Sequence, residues 1–180
     1  MDLSYDLATH ERPKLGLIVL QSDESIENDM RRMIPADVDL LVSRLPSSTE
    51  VSSETLAAMK SVLTSAASLF PAAAEFATVG YGCTSGTAEI GAETIAAMIR
   101  DGTSTGSTTE PVSALIAACA ALEIKRIGLI SPYVGEVSAK LRTVLADHDI
   151  TVTSFASFDE PSERNVVRID PASIHAAATN

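Results

Sequence analysis

Lys14-Leu15-Gly16-Leu17-Ile18-Val19-Leu20 is a short run, apolar at nearly every position and partly β-branched. Unbroken apolar character over the length of a strand predicts a strand buried on both faces, as in a parallel sheet covered by helices. A shift of 112 residues lays Leu15-Gly16-Leu17-Ile18 on Ile127-Gly128-Leu129-Ile130, and the same shift lays the strand that begins at Val38 on Ile150-Thr151-Val152-Thr153. Two strands in one register point to a duplicated unit, so the chain reads as two similar α/β halves, residues 1–110 and 111–180. On this repeat the third strand of the second half falls past Asn180, and the second half is expected to be incomplete.

Between the repeated strands, helix and strand signals alternate. Ser22, Asp23 and Ser25 are caps for a helix through Glu27, Met30 and Met33, which stops at Pro35. A strand follows from Val38 to Val42. Leu56, Met59, Val62, Leu63, Ala66 and Leu69 recur at helical spacing and predict one amphipathic helix ending near Phe70-Pro71. A third strand leads into a helix from Gly86 to about Arg100. The Gly/Ser/Thr-rich stretch Asp101 to Thr109 reads as a loop, a lid or a hinge. Pro111 opens the next helix, Arg126 to Ile130 is another buried strand, and Pro171 to Ala178 is a last helix. Alternation of this kind predicts parallel sheets with flanking helices, whose ligands sit beyond the carboxyl ends of the strands.

Composition narrows the function classes. The 180 residues are 46% hydrophobic, ample for a core, and carry a formal charge of −11 with scattered basic side chains. Neither a phosphate backbone nor an anionic membrane would find a cationic face here. The polar, acidic N-terminus lacks the pattern of a signal peptide, no apolar run approaches a membrane span, and Cys83 and Cys119 form no metal-binding or disulfide pattern. A soluble protein of a reducing cytoplasm is expected, with no metal site read from the cysteines.

The chemistry concentrates in Gly80-Tyr81-Gly82-Cys83-Thr84-Ser85-Gly86-Thr87. A cysteine at a strand end and a helix N-terminus meets partly positive N–H groups, which are expected to lower its pKa. Thr84, Ser85 and Thr87 offer hydroxyls, and Gly82 and Gly86 let backbone amides approach an anion such as a small carboxylate. The alternative is a buried structural thiol in a tight turn. A nucleophile elbow would need glycines where Tyr81 and Ser85 stand, a cysteine phosphatase would need an arginine between Thr84 and Ile99, and the glycine spacing is one residue too long for a dinucleotide fingerprint. Cys119, among alanines, reads as core packing. His10, His148 and His175 read as solvated or capping residues.

The first strand, the cysteine motif and Ser131-Pro132-Tyr133-Val134-Gly135-Glu136-Val137 together resemble the aspartate/glutamate racemase superfamily, and within it the maleate cis-trans isomerase and arylmalonate decarboxylase branch. The resemblance implies two pseudo-symmetric lobes that each supply a catalytic position to a cleft, with no cofactor. It implies that Cys83 is a thiolate nucleophile or acid/base, that Thr84 and Ser85 hold one carboxylate of a small carboxylic or dicarboxylic acid, and that Tyr133 reaches a carboxylate from the other lobe. A second cysteine is expected about fifteen residues past Asn180. Asp23 stands where maleate isomerases carry an asparagine; its carboxylate would repel a dicarboxylate, so it either caps its helix or selects a different substrate. Arylmalonate decarboxylases have glycine at the place of Cys83, which makes decarboxylation the weaker alternative to isomerisation or racemisation. A carboxylate-binding protein without catalysis is the other alternative. A homo-oligomer is expected from the resemblance and from the open edge of an incomplete sheet.

Overall fold

The computed structural model describes residues 3–7 and 11–179; His10 lies outside the described residues. β1 (Lys14–Leu20) runs parallel between β2 (Asp39–Leu45) and β3 (Phe76–Tyr81), and β4 (Thr105–Thr109) pairs with the far side of β3, giving the order β2-β1-β3-β4. Leu17, Ile18, Val19 and Leu20 are all buried, as a central strand covered on both faces requires. Gly16 lets β1 approach its cover, because a Cβ there would lie 2.9 Å from Val79 Cγ2 and 3.1 Å from Phe70 Cζ.

A second parallel pair, β5 (Arg126–Ser131) and β6 (Thr151–Ser157), forms a sheet of its own. The repeat holds down to register: Lys14 pairs with Asp39, and Arg126 with Thr151. Beyond Ile127 the second pair slips by one residue, so Gly128 faces Ser154 whereas Gly16 faces Leu41.

The helices are α1 (Ile26–Met33), α2 (Ser53–Ala58), α3 (Leu63–Ala67), α4 (Thr84–Ile90), α5 (Ala92–Gly102), α6 (Pro111–Ala121), α7 (Gly135–Asp147), α8 (Glu163–Val166) and α9 (Pro171–Thr179). Three expectations are corrected. The single helix ending at Phe70 is two helices, α2 and α3, separated by a 3₁₀ turn at Met59–Ser61. The helix from Gly86 starts two residues earlier and breaks at Gly91, whose φ of 92° only glycine adopts readily. The stretch Asp101 to Thr109 is no lid: Asp101 and Gly102 end α5, and Thr105–Thr109 is the edge strand β4, tied to β3 by Thr78 Oγ1 and Ser107 Oγ at 2.7 Å. Its β-branched threonines suit a half-exposed edge.

Two apolar clusters form the core. One gathers Ile18, Leu45, Leu63, Phe70, Val79 and Ile95 around the first sheet; the other gathers Val112, Cys119, Leu141, Leu145 and Ile150 beside the second. Cys119 thus packs as expected. Each cluster also takes a side chain from a helix of the other: Val137 of α7 joins the first and Ala88 of α4 the second. Helices α4 and α7 therefore pack together, and their N-terminal ends bring the strand ends of both sheets to one place. Among the described residues no helix is long and apolar enough to cross a membrane.

Candidate active site

Cys83 leaves the carboxyl end of β3 in an extended conformation (φ −142°, ψ 110°) and caps α4 with its sulfur, which accepts the Gly86 N–H at 3.2 Å. Ser85 Oγ lies 3.6 Å from the same sulfur. Only glycine fits at position 86, since a Cβ would stand 2.5 Å from Tyr81 Oη and 2.9 Å from Cys83 Sγ. Thr87 turns away from any ligand, because its hydroxyl donates to the Cys83 carbonyl at 2.7 Å. Thr84 is half-buried at the first position of the helix. Below the thiol, the buried Tyr81 hydroxyl donates to Met59 Sδ at 3.8 Å.

The thiol is not the activated group that its place on the helix predicts. Burial pushes its pKa above the ordinary 9.0, the Ser85 hydroxyl and the Gly86 amide pull it down, and the charge of Glu163 pushes it up again. At 6% exposure, the sulfur loses more by leaving water than one amide and one hydroxyl return.

From the second sheet, Tyr133 follows β5 and precedes α7. A chain of hydroxyls fixes its backbone: Ser131 Oγ accepts the Tyr133 N–H at 3.1 Å, Ser138 Oγ lies 2.8 Å from Ser131 Oγ and donates to the Tyr133 carbonyl at 3.0 Å, and Ser157 Oγ donates to that carbonyl too. Burial raises the Tyr133 phenol, with the Cys83 and Glu163 charges adding to the rise and the Ser85 hydroxyl opposing it. The phenol therefore holds its proton more firmly than an exposed tyrosine does, and the side chain packs against the apolar cluster that contains Cys83.

Asp23 lies in the β1–α1 turn, half-buried, with Oδ1 accepting the N–H groups of Ser25 and Ile26, both at 2.9 Å. The capping arrangement is the one observed. Arg44 pins the same turn by donating to the Leu20 and Asp23 carbonyls at 3.1 and 2.9 Å.

Sequence reasoning missed Glu163. It opens the short helix α8, is 7% exposed, and its pKa rises above 4.5 through burial and the neighbouring Asp23 charge. No motif marks it, since its burial comes from distant chain segments. Cys83, Ser85, Tyr133, Asp23 and Glu163 thus gather at the carboxyl ends of β1, β3, β5 and β6. Among the described residues no group of three His, Cys, Asp or Glu side chains is gathered closely enough to hold a metal ion. Two of the larger surface depressions lie along α6 and its neighbours α5 and α7, lined by Thr94, Ser113, Ile116 and His148, rather than over the thiol.

No protein-family model matches the sequence, and no curated protein matches it in sequence. Solved structures do match in shape. A maleate isomerase from Pseudomonas putida S16 superposes with a TM-score of 0.80 at 20% identity, over 94% of this chain and 73% of that one. The chain has the Asp/Glu racemase-like fold. A Nocardia farcinica maleate cis-trans isomerase, a cysteine-to-serine mutant with a covalently bound succinylcysteine intermediate, shares the racemase-like fold with a TM-score of 0.81 at 22% identity, over 94% of this chain and 73% of that one. A liganded double mutant of arylmalonate decarboxylase shares it with a TM-score of 0.77 at 22% identity, over 93% and 71%. These neighbours are enzymes, and the racemase-like fold places their likeness along nearly the whole chain rather than in one motif.

Proposed function

We propose that the protein is a cofactor-independent isomerase of a small unsaturated dicarboxylic acid, with Cys83 as the nucleophile. The carrying observation is the thiol at the end of β3, held between the Gly86 amide and the Ser85 hydroxyl, with Tyr133 of the other sheet packed against the same apolar cluster. Addition of the thiolate to a carbon–carbon double bond turns that bond into a single bond, about which the adduct rotates before the thiolate leaves. The succinylcysteine in the Nocardia farcinica enzyme is a product of addition of this kind. Thr84 and Ser85 hold one carboxylate and Tyr133 donates to the other. These are neutral donors, so they bind an anion without a basic side chain. Asp23 keeps its Oδ1 on α1 and limits how closely a second carboxylate approaches that wall.

Racemisation uses the same groups to exchange a proton at a carbon next to a carboxylate, and decarboxylation would release carbon dioxide. An assay of maleate, a chiral amino dicarboxylate and an arylmalonate separates the three by product. Cys83→Ser and Cys83→Ala are expected to lower turnover at least about a thousandfold. Turnover unchanged in either variant overturns the assignment. Because burial holds the thiol up, alkylation of Cys83 by iodoacetamide is expected to be slow at neutral pH and to accelerate only above the ordinary thiol value of 9.0.

A further inference from the structure

α6 carries no charged side chain over its eleven residues, and a helix apolar on all faces is ordinarily buried on all faces. Here only Val112 and Cys119 are buried, packed with α7 beside the second sheet, while Ala114, Ala117, Ala118 and Ala121 meet water. Between α6 and α7 two depressions of about 460 and 430 Å³ share Ile116 and His148 and run into one groove, open to solvent. Its floor is apolar, made by Val112, Ile116 and Cys119 of α6 and Val144 of α7. From Ser113 to Ala120 the α6 wall is about 10 Å long, roughly two turns of helix.

The rim is acidic. Glu93 and Asp147 line the first depression, and Glu123 and Asp149 the second. Against them stand one lysine, Lys125, and His148, whose Nδ1 is taken up 2.8 Å from the Val144 carbonyl. None of the four carboxylates makes an ion pair among the described residues, whereas Glu24, Glu27 and Asp29 around α1 are all paired with arginines. Glu123 and Asp149 follow α6 and α7 in the left-handed region, with φ of 55° and 59°, where a helix end usually places glycine or asparagine. Each keeps a carboxylate on the rim at the cost of an unfavourable backbone.

We infer that the groove between α6 and α7 docks a cationic amphipathic helix of another protein, its apolar face on Ile116 and Val144 and its lysines or arginines on Glu93, Asp147, Glu123 and Asp149. Two helices side by side leave a furrow that the ridge of a third fills, and helix-in-groove recognition uses anchors three and four residues apart. Opposite charge steers the segment in, and the apolar floor holds it. A second copy meeting the groove by the same face would set these carboxylates against their own images, in a chain of formal charge −11. The groove also reaches Thr87 and Gly91, so a docked segment abuts the far end of α4, the helix that Cys83 caps.

The probe is a fluorescein-tagged peptide of leucine and lysine, about 14 residues or four turns long, with its leucines at helical spacing. Binding is read by fluorescence anisotropy on the full chain, at low salt and at about 0.15 M salt. A peptide of the same composition, with leucines scattered around the helix, measures plain charge attraction. The amphipathic peptide is expected to bind with a Kd of about 10 μM or tighter at the higher salt, at least about tenfold more tightly than the scattered one. Ala120→Arg, at an exposed position of the groove, is expected to weaken binding about tenfold or more, with circular dichroism checking that the helices remain. Glu93→Gln with Asp147→Gln is expected to weaken it about tenfold at low salt and to reduce its salt dependence. Glu54→Gln with Glu75→Gln removes the same charge from exposed positions outside the groove and is expected to change the Kd less than about twofold. Equal binding of the two peptides, or an equal loss in the Glu54 and Glu75 variant, overturns the inference in favour of general charge attraction. Absence of binding overturns it too, and a wild-type dimer that Ala120→Arg dissociates in sedimentation assigns the groove to a second copy instead.

Discussion

The two strand pairs β1–β2 and β5–β6 start in the same register and come from the same alternation of strand and helix, yet they are held in place differently. β1 is buried from Leu17 to Leu20 between two neighbouring strands and the helices that cover them. In β5 only Ser131 is fully buried, and β6 is exposed at most of its positions. The sheet of the first pair fixes Cys83, at the end of β3, by packing. The second fixes Tyr133 by hydroxyls, through Ser131, Ser138 and Ser157. A strand sequence therefore sets direction and pairing, while burial depends on what lies beside it, and the site takes one wall from each regime.

The sharpest way to break this contrast is to remove equivalent apolar side chains. Ile18, fully buried in β1, and Ile130, half-buried at the equivalent position of β5, are related by the repeat. Ile18→Ala is expected to cost about 2–5 kcal/mol and Ile130→Ala roughly half as much or less, measured by urea unfolding. Equal costs would mean that the second pair is as tightly packed as the first. Next, Ser138→Ala removes the central hydroxyl of the Tyr133 turn, with Ser138 itself 1% exposed. It is expected to cost about 1–3 kcal/mol and to raise KM for the carboxylate substrate. A stable variant with unchanged KM would show that Ser157 alone suffices to hold the turn.

The smallest effect is a pH slope that both walls share. Cys83 and Glu163 have folded pKa values raised above their ordinary 9.0 and 4.5, so each holds its proton more firmly in the folded state. The stability this contributes is whole below the ordinary values and is lost as pH rises through the folded ones. Unfolding free energy is thus expected to decline as pH rises past 4.5 on account of Glu163, and again past 9.0 on account of Cys83. Glu163→Gln should flatten the first part and Cys83→Ser the second. An unchanged slope in both variants would place the titrating groups elsewhere.

Much of this was legible in sequence. The apolar run at β1, the register of the repeat and the cysteine motif at the end of β3 are local patterns, and local patterns survive folding. β4 was illegible because Thr105-Gly106-Ser107-Thr108-Thr109 has the composition of a loop, and only pairing with β3 makes it a strand. The break at Gly91 was hidden because one glycine within an apolar-periodic stretch looks tolerable in a helix. Glu163 was illegible for a different reason: its enclosure depends on Thr49, Pro161 and the Tyr133 turn, which are distant from one another in the chain. The thiol's raised pKa was missed because helix position is visible in sequence and depth of burial is not.

Arg168 and Glu24 meet through paired hydrogen bonds of 2.8 Å on a surface where both are about half exposed, 49% and 54%. The pair joins the chain just after α8 to the turn that carries Asp23. Screening length shrinks from about 10 Å in 0.1 M salt to about 3 Å in 1 M. Ionic strength therefore acts on one side of the site and leaves the other alone: concentrated salt loosens the tether after α8, while Cys83, buried and held by the Gly86 amide, keeps its place.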